Sequence, residues 1–231
     1  MIITIDGPAG SGKSSTARAV ARRLGLLHLD SGAVYRAFAR AAIRGKILEG
    51  GGAPDREAAR AVAREPVTVE AMSDGLEVRL GGRRLGAELR TPEVTALSSK
   101  LSVFPEVRDR VNALLREVAG RYRGSMVCEG RDMGTVVFPE AELKVYLIAS
   151  TEVRARRRLE QQGIEPEPER VRAEIARLER RDRSDRERAV APLRPAPDAE
   201  LIDTTDLAFE DQVRQIVEMA RKRLDMAEGS G

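Results

Sequence analysis

Aromatic side chains make up only 3% of the 231 residues, and tryptophan is absent. A surface that binds nucleic acid broadly wants a basic stripe interleaved with stacking rings, so that class is disfavoured from the start. The single cysteine, Cys128, excludes an internal disulfide framework and fits a reducing compartment, the cytoplasm. One histidine beside one cysteine also excludes a metal cluster built from those two residue types. No apolar run approaches the roughly 20 residues of a membrane span. Met1 leads at once into Ile2-Ile3 without a charged leader, so neither a membrane anchor nor a targeting segment is expected. Eleven prolines and 20 glycines are too few for a collagen-like or disordered chain.

What the chain does have is charge. Lys and Arg number 40 against 37 Asp and Glu, a net +3. Lysine occurs only at Lys13, Lys46, Lys100, Lys144 and Lys222, and Asn112 is the one asparagine. A GC-rich coding sequence explains that bias without a functional cause. The acids are dispersed among the arginines, which again argues against a nucleic-acid surface, although single guanidinium groups remain well suited to phosphates. The length allows one sizeable domain with a smaller lobe.

Along the chain, short apolar runs alternate with helical patterns. Ile2-Ile3-Thr4-Ile5, Leu27-His28-Leu29, Met126-Val127-Cys128, Lys144–Ile148 and Leu201-Ile202-Asp203 read as strands. Helices are expected from Lys13 to Leu24, through Tyr35, Phe38 and Ile43, and over 54–65, 92–119, 152–160, 169–181 and 207–224. Gly50-Gly51-Gly52 reads as a break. Val67–Val69 and Leu76–Leu80 around Ser73-Asp74-Gly75 resemble a hairpin, inserted over about 63–90. This order favours a parallel α/β sheet. Glu228–Gly231 is expected to fray, His28 reads as part of the sheet core, and Cys128 reads as an inert strand residue.

Three segments carry chemistry. Gly7-Pro8-Ala9-Gly10-Ser11-Gly12-Lys13-Ser14 matches the G-x-x-x-x-G-K-[ST] phosphate loop without a mismatch, between an expected strand and helix. Such a loop turns backbone N–H groups and a helix N-terminus onto phosphate oxygens. Lys13 reaches the β- and γ-phosphates, and the Ser14 hydroxyl takes a place on Mg²⁺. Met126–Thr135 is the second cluster: Glu129 ends an apolar strand where a carboxylate orients Mg²⁺ through its waters, and Arg131-Asp132 lie just beyond. A local Arg–Asp turn pair is the bland alternative there. The third is Arg180–Leu193, whose charges on composition alone describe a solvated helix face. A guanine-reading N-K-x-D motif is missing, which closes the GTP-switch class. Asp30-Ser31-Gly32-Ala33-Val34-Tyr35-Arg36 offers a hydroxyl and a cation near the strand ends, or else simply a helix cap.

Read together, these segments resemble the bacterial cytidylate kinases. The match also includes Ile5-Asp6-Gly7-Pro8, Leu89-Arg90-Thr91-Pro92-Glu93-Val94, Phe104-Pro105-Glu106-Val107-Arg108, Glu129–Pro139 and Arg188-Ala189-Val190-Ala191-Pro192-Leu193, in order over nearly the whole chain. The phosphate loop is generic; the Gly-Arg-Asp segment and the Arg-x-x-Ala-Pro-Leu ending are far more specific.

The resemblance implies an α/β nucleoside monophosphate kinase fold of the P-loop type: a parallel five-stranded sheet flanked by helices. One kinase domain would span 1–225, with its core at about 1–35, 92–150 and 170–225. A monophosphate-binding insertion with a small antiparallel β-element would occupy about 36–91, a short lid about 151–169, and a disordered tail 226–231. It implies transfer of the ATP γ-phosphoryl group to CMP or dCMP, with Mg²⁺ bound alongside ATP, in a cytoplasmic monomer with no nucleic-acid or membrane partner. Gly7, Pro8, Ala9, Gly10, Ser11, Gly12, Lys13, Ser14 and Ser15 would hold ATP, helped by Arg154 and Arg157 of the lid. Ser99, Arg108 and Asp132 would surround cytosine, with the register between Ser98 and Ser99 open. Arg36, Arg131 and Arg188 would hold the acceptor phosphate, Arg181 and Asp185 would serve the phosphates and ribose, and Ser31 would join the CMP site. Lys13, Arg131, Asp132, Arg181 and Arg188 would be the catalytic set. Rival readings are another small-acceptor kinase (UMP, AMP or shikimate type), separable by an acceptor panel, and an ATP-dependent RNA-binding module, separable by salt-sensitive RNA affinity.

Overall fold

The computed structural model describes residues 1–47, 53–73 and 75–228. The glycine break at 50–52, Asp74 of the hairpin turn and the last three residues lie outside the described residues. The chain divides into two compact units, one formed by the residues up to His28 and from Ser125 onward, the other by Leu29–Gly124.

The first unit is built on a five-stranded sheet in the order β2-β6-β1-β7-β8. Its strands are β1 (Ile2–Asp6), β2 (Leu27–Asp30), β6 (Met126–Glu129), β7 (Leu143–Ile148) and β8 (Glu200–Asp203). β1 pairs in parallel with both β6 and β7, and β7 in parallel with β8. The register sets Ile5 opposite Glu129 and Asp6 opposite Tyr146, so the carboxylates of β1 and β6 finish level with the turn that leaves β1. The C-terminal edge of a parallel sheet is where ligands of such folds bind.

Ile3, Ile5, Val127, Leu143, Val145, Leu147 and Ile202 come off the strands into one core. That core is closed by Ala17, Val20 and Ala21 of α1 (Lys13–Leu24) and by Val213, Ile216, Val217 and Ala220 of α8 (Phe209–Glu228). Residues buried on both faces explain why these strands read as continuous apolar runs rather than alternating ones. α6 (Thr151–Gln161) and α7 (Pro168–Glu187) pack through Ala155, Leu159, Val171 and Leu178, and Ala9 of the Gly-rich turn joins that cluster. α7 runs six residues beyond the expected end at 181. Its last turns contain neither Gly nor Pro, and Asp182 and Asp185 are buried on arginine partners instead of solvated.

The second unit holds α2 (Ser31–Arg44), α3 (Arg56–Ala63), α4 (Pro92–Leu101) and α5 (Pro105–Arg121). It also holds an antiparallel sheet of β3 (Val67–Met72), β4 (Gly75–Leu80) and β5 (Arg83–Arg84). The expected helix over 92–119 is two helices, because Pro105 cannot continue a helix from Ser102–Phe104 and instead starts α5 at its first position. The unit extends beyond 36–91 because α4 and α5 pack on α2, around buried Phe38, Leu101 and Val111.

Candidate active site

The Gly-rich turn leaves β1 with Gly7 at φ 149°, and a Cβ there would lie 2.3 Å from the carbonyl oxygen of Leu147, so only glycine fits. α1 starts at Lys13 behind Gly12, leaving its first N–H groups at the turn. The turn is braced from outside the motif. Arg154, fully buried on α6, donates to the Ala9 carbonyl at 2.9 Å, to Asp182 at 2.6 Å, to the Ala149 carbonyl at 3.1 Å and to Thr151 at 3.0 Å. Arg157 donates to the side chain and carbonyl of Thr204 at 3.0 and 2.6 Å. Both candidate lid arginines are thus engaged with protein groups.

Lys13 is buried and its Nζ donates to the Pro8 carbonyl at 2.8 Å. Burial first, then the Arg131 and Arg181 charges, hold its pKa well below the ordinary lysine value, against the opposing pull of Glu129 and Asp185. The Ser14 hydroxyl donates to Glu129 Oε2 at 2.5 Å, which brings together the two groups singled out for Mg²⁺. A hydroxyl and a carboxylate are hard oxygen donors suited to Mg²⁺, which keeps most of its waters and takes few protein ligands. No group of three or more His, Cys, Asp or Glu side chains able to hold a metal occurs among the described residues. His28, on β2 of the sheet, also reaches the site: its Nε2 lies 3.1 Å from Glu129 Oε1. The two residues are 101 positions apart, a contact that no local sequence signal reveals. Cys128 is buried, which pushes its thiol up, and it stays inert.

A second layer of charge surrounds Asp185. Arg131 Nε bonds Asp185 Oδ2 at 3.1 Å, and Arg188 lies 3.9 Å from both Asp185 and Asp132. Burial alone would raise the Asp185 pKa, but Arg131, Arg181 and Arg188 outweigh it and hold it below the usual carboxylate value. Arg181 is the odd member. Its Nε is buried without a hydrogen-bond partner among the described residues, and burial together with Arg131 pushes its pKa down to about 10. Arg181 and Asp185 follow at i and i+4 on α7, and Arg188 stands just beyond it as its extended C-terminal cap. The Arg-x-x-Ala-Pro-Leu ending has a structural reason too. Arg188 Nε donates to the Ala191 carbonyl at 2.5 Å, Ala191 sits at φ 50°, and the Leu193 N–H returns to the Asp185 carbonyl at 2.7 Å. A non-glycine residue in that conformation is held there by its surroundings.

In the second unit, Asp30 caps α2 by accepting from the Ala33 N–H at 3.0 Å and pairs with Arg36 at 3.0 Å; Ser31 beside it is buried. The cap reading therefore holds through Asp30, while Arg36 is paired with Asp30 rather than solvated. Arg108 is 1% exposed, donates to the Ser102 carbonyl at 3.0 Å and stands 5.7 Å from the Tyr35 ring centre. The Ser98 hydroxyl is occupied by the Thr95 carbonyl at 2.9 Å, whereas no hydrogen bond engages that of Ser99 among the described residues.

A phosphate loop on the central strand, a lysine, a hydroxyl–carboxylate pair and a set of buried guanidinium groups define a P-loop kinase. The family model for cytidylate kinase matches residues 3–222. The chain is 42% identical over 226 residues to a cytidylate kinase of Mycobacterium leprae (strain Br4923), with 96% of each chain covered. It is 40% identical over 231 residues to a cytidylate kinase of Pasteurella multocida (strain Pm70), covering 98% of this chain and 97% of that one. A solved structure from Thermus thermophilus shares the fold at a TM-score of 0.51 and 21% identity over 97% of both chains. The chain belongs to the cytidylate kinase family.

Proposed function

We propose that the protein transfers the γ-phosphoryl group of ATP to CMP or dCMP, giving CDP or dCDP and ADP. One observation carries the choice of acceptor: membership of the cytidylate kinase family over residues 3–222. The Lys13, Ser14 and Glu129 arrangement supports the reaction class, since phosphoryl transfer asks for positioning and charge neutralisation rather than a covalent nucleophile. In this reading Gly7–Ser15 hold the ATP phosphates, and Arg154 stiffens that loop through Ala9 instead of touching nucleotide. Ser14, directly, and Glu129, through water, would hold Mg²⁺, and His28 beside Glu129 orients that carboxylate. Bound there, Mg²⁺ would supply neutralisation of the charge on the ATP phosphates.

Arg36, Arg131 and Arg188 are assigned to the acceptor phosphate, Asp185 to the ribose and Ser31 to the same site. Ser99, Arg108 and Asp132 are assigned to cytosine, and Ser99 is preferred over Ser98 because its hydroxyl is not engaged elsewhere. Arg181 is assigned to the transferred phosphoryl group, because a desolvated guanidinium without a hydrogen-bond partner gains most from an incoming anion. Among the described residues no helix is long and apolar enough to cross a membrane, and a cytoplasmic location belongs to the same reading. Phosphorus NMR of ATP with CMP tests the reaction. CDP and ADP should appear together without free phosphate, whereas phosphate release independent of CMP would contradict a kinase.

A further inference from the structure

Asp6 ends β1 immediately before the phosphate loop, and the function assigned above gives it no role. Its side chain is buried, and its two oxygens face the loop after β6: Oδ1 accepts the Met133 N–H at 3.0 Å and Oδ2 the Gly134 N–H at 2.8 Å. The Ile5 carbonyl accepts the Gly130 N–H at 3.2 Å, so two consecutive residues of β1 pin both ends of the segment 130–134. Between those pins stand Arg131 and Asp132. The segment then enters an irregular wide-turn helix at Met133–Val137, with Asp132 at φ −149° and ψ 24°. Gly134 is pressed against β1 so closely that a Cβ would lie 2.8 Å from Thr4 Oγ1. The N–H groups of Val136, Val137 and Phe138 return to the Asp132 and Met133 carbonyls, and the Asp6 carboxylate takes the Met133 and Gly134 N–H groups that open this irregular helix.

We propose that Asp6 is a positioning residue for the acceptor nucleotide: it fixes the backbone of 130–134 so that Arg131 and Asp132 present their side chains to CMP. This rests on the assignment of those two residues to CMP. Both oxygens accept strongly only when the carboxyl is ionised, since a proton on one of them leaves that oxygen a poor acceptor. The groups around it are Asp132 on the same loop, Lys13 on α1, Cys128 on β6 and Tyr146 on β7. Burial raises its pKa to about 6 against the lowering effect of the two N–H donors, which leaves it ionised at neutral pH. The phosphate loop that follows has its own supports in Arg154 and Lys13. Loosening the 130–134 loop should therefore act on CMP and spare ATP.

Calorimetric titration of the full chain with CMP, and separately with a non-hydrolysable ATP analogue, tests this with Asp6→Asn and Asp6→Leu. Asparagine keeps one acceptor and turns an amide N–H₂ toward the other donor; leucine removes both. Binding of CMP should weaken about 10- to 100-fold in Asp6→Leu, the scale of a lost positioning contact, and by less in Asp6→Asn. The ATP analogue should stay within about threefold, a split that a merely structural role does not produce. Equal loss of both ligands, or unchanged CMP binding, overturns the proposal. Should the leucine variant not fold, the near-isosteric Asp6→Asn decides alone on the same two titrations. Arg131→Lys and Asp132→Ala, run in parallel, separate the two layers. If they weaken CMP binding while Asp6 variants do not, only the positioning role is wrong. If they leave CMP binding intact, the assignment of the loop to CMP fails and this inference fails with it.

Discussion

Replacing Arg181 by methionine should make the protein more stable and nearly inactive. The guanidinium is on α7, its Nε buried without a hydrogen-bond partner among the described residues, between the like charge of Arg131 and the weaker opposing charge of Asp185. A pKa pushed from the ordinary guanidinium value down to about 10 corresponds to about 3 kcal/mol of unfavourable charging in the folded state. The sign follows directly. The folded pKa is depressed, so the folded state suffers at every pH below about 10, including neutrality. Methionine keeps most of the aliphatic stem, so little packing is lost to offset the gain. Allowing for partial solvent access, we expect a net gain of about 1–2 kcal/mol, or a rise in Tm of about 3–6 °C for a chain of this size. Activity should fall by about 10²–10³-fold, as when one donor to a developing charge is removed. Thermal unfolding with and without CMP and an ATP analogue is the assay. The variant should start higher than wild type without ligand and gain less from adding both nucleotides. A lower Tm without ligand would show that Arg181 holds the fold together, and the argument for an idle guanidinium would be wrong.

Other expectations follow from the same geometry. Lys13→Ala should lower kcat about 10³-fold with no loss of Tm, because the ammonium is a desolvated charge at the phosphate turn; retained activity would refute the assignment. Asp6 should leave a signature in stability against pH. A carboxyl raised to about 6 contributes stability fully below about pH 4 and loses it as pH rises through 6, so wild type should fall relative to Asp6→Asn by up to about 3 kcal/mol between pH 4 and 7 in urea titrations. A flat difference would contradict the burial argument. For base choice, Asp132→Ala should cost about 2–3 kcal/mol in kcat/KM for CMP and far less for UMP, because only cytosine offers the carboxylate an amine donor. An unchanged CMP/UMP ratio would reduce Asp132 to a partner of Arg188, 3.9 Å away.

Much of this was legible from residue order, and the illegible part has a common cause. The phosphate loop is a local motif whose glycines are dictated by local backbone conformation and close packing, so Gly7–Ser14 is readable without a partner in view. Strands buried on both faces announce themselves as apolar runs, and β1, β6 and β7 do so. Contacts between distant segments do not. Nothing near His28 points to Glu129, 101 residues later, and nothing in Asp6-Gly7-Pro8 points to the N–H groups of Met133 and Gly134. The charged stretch at 180–187 misleads for a related reason. Composition suggests a solvated face, yet Asp182 and Asp185 are buried because Arg154 and Arg131 come to them from other elements. The contacts of Arg154 to the Ala9 carbonyl and Asp182 likewise join segments 145 and 28 residues apart, which residue order does not announce.

The most direct test of the whole account is a steady-state comparison of acceptors. Release of ADP from ATP and Mg²⁺ is coupled to a spectroscopic readout and measured with CMP, dCMP, UMP and AMP over a range of concentrations. We expect CMP and dCMP to give the highest kcat/KM, UMP to fall well behind, AMP to be slower still, and no ADP to form without an acceptor. Equal or better rates with AMP or UMP, or ADP release that ignores the acceptor, would contradict the assignment of this site to cytidine monophosphates.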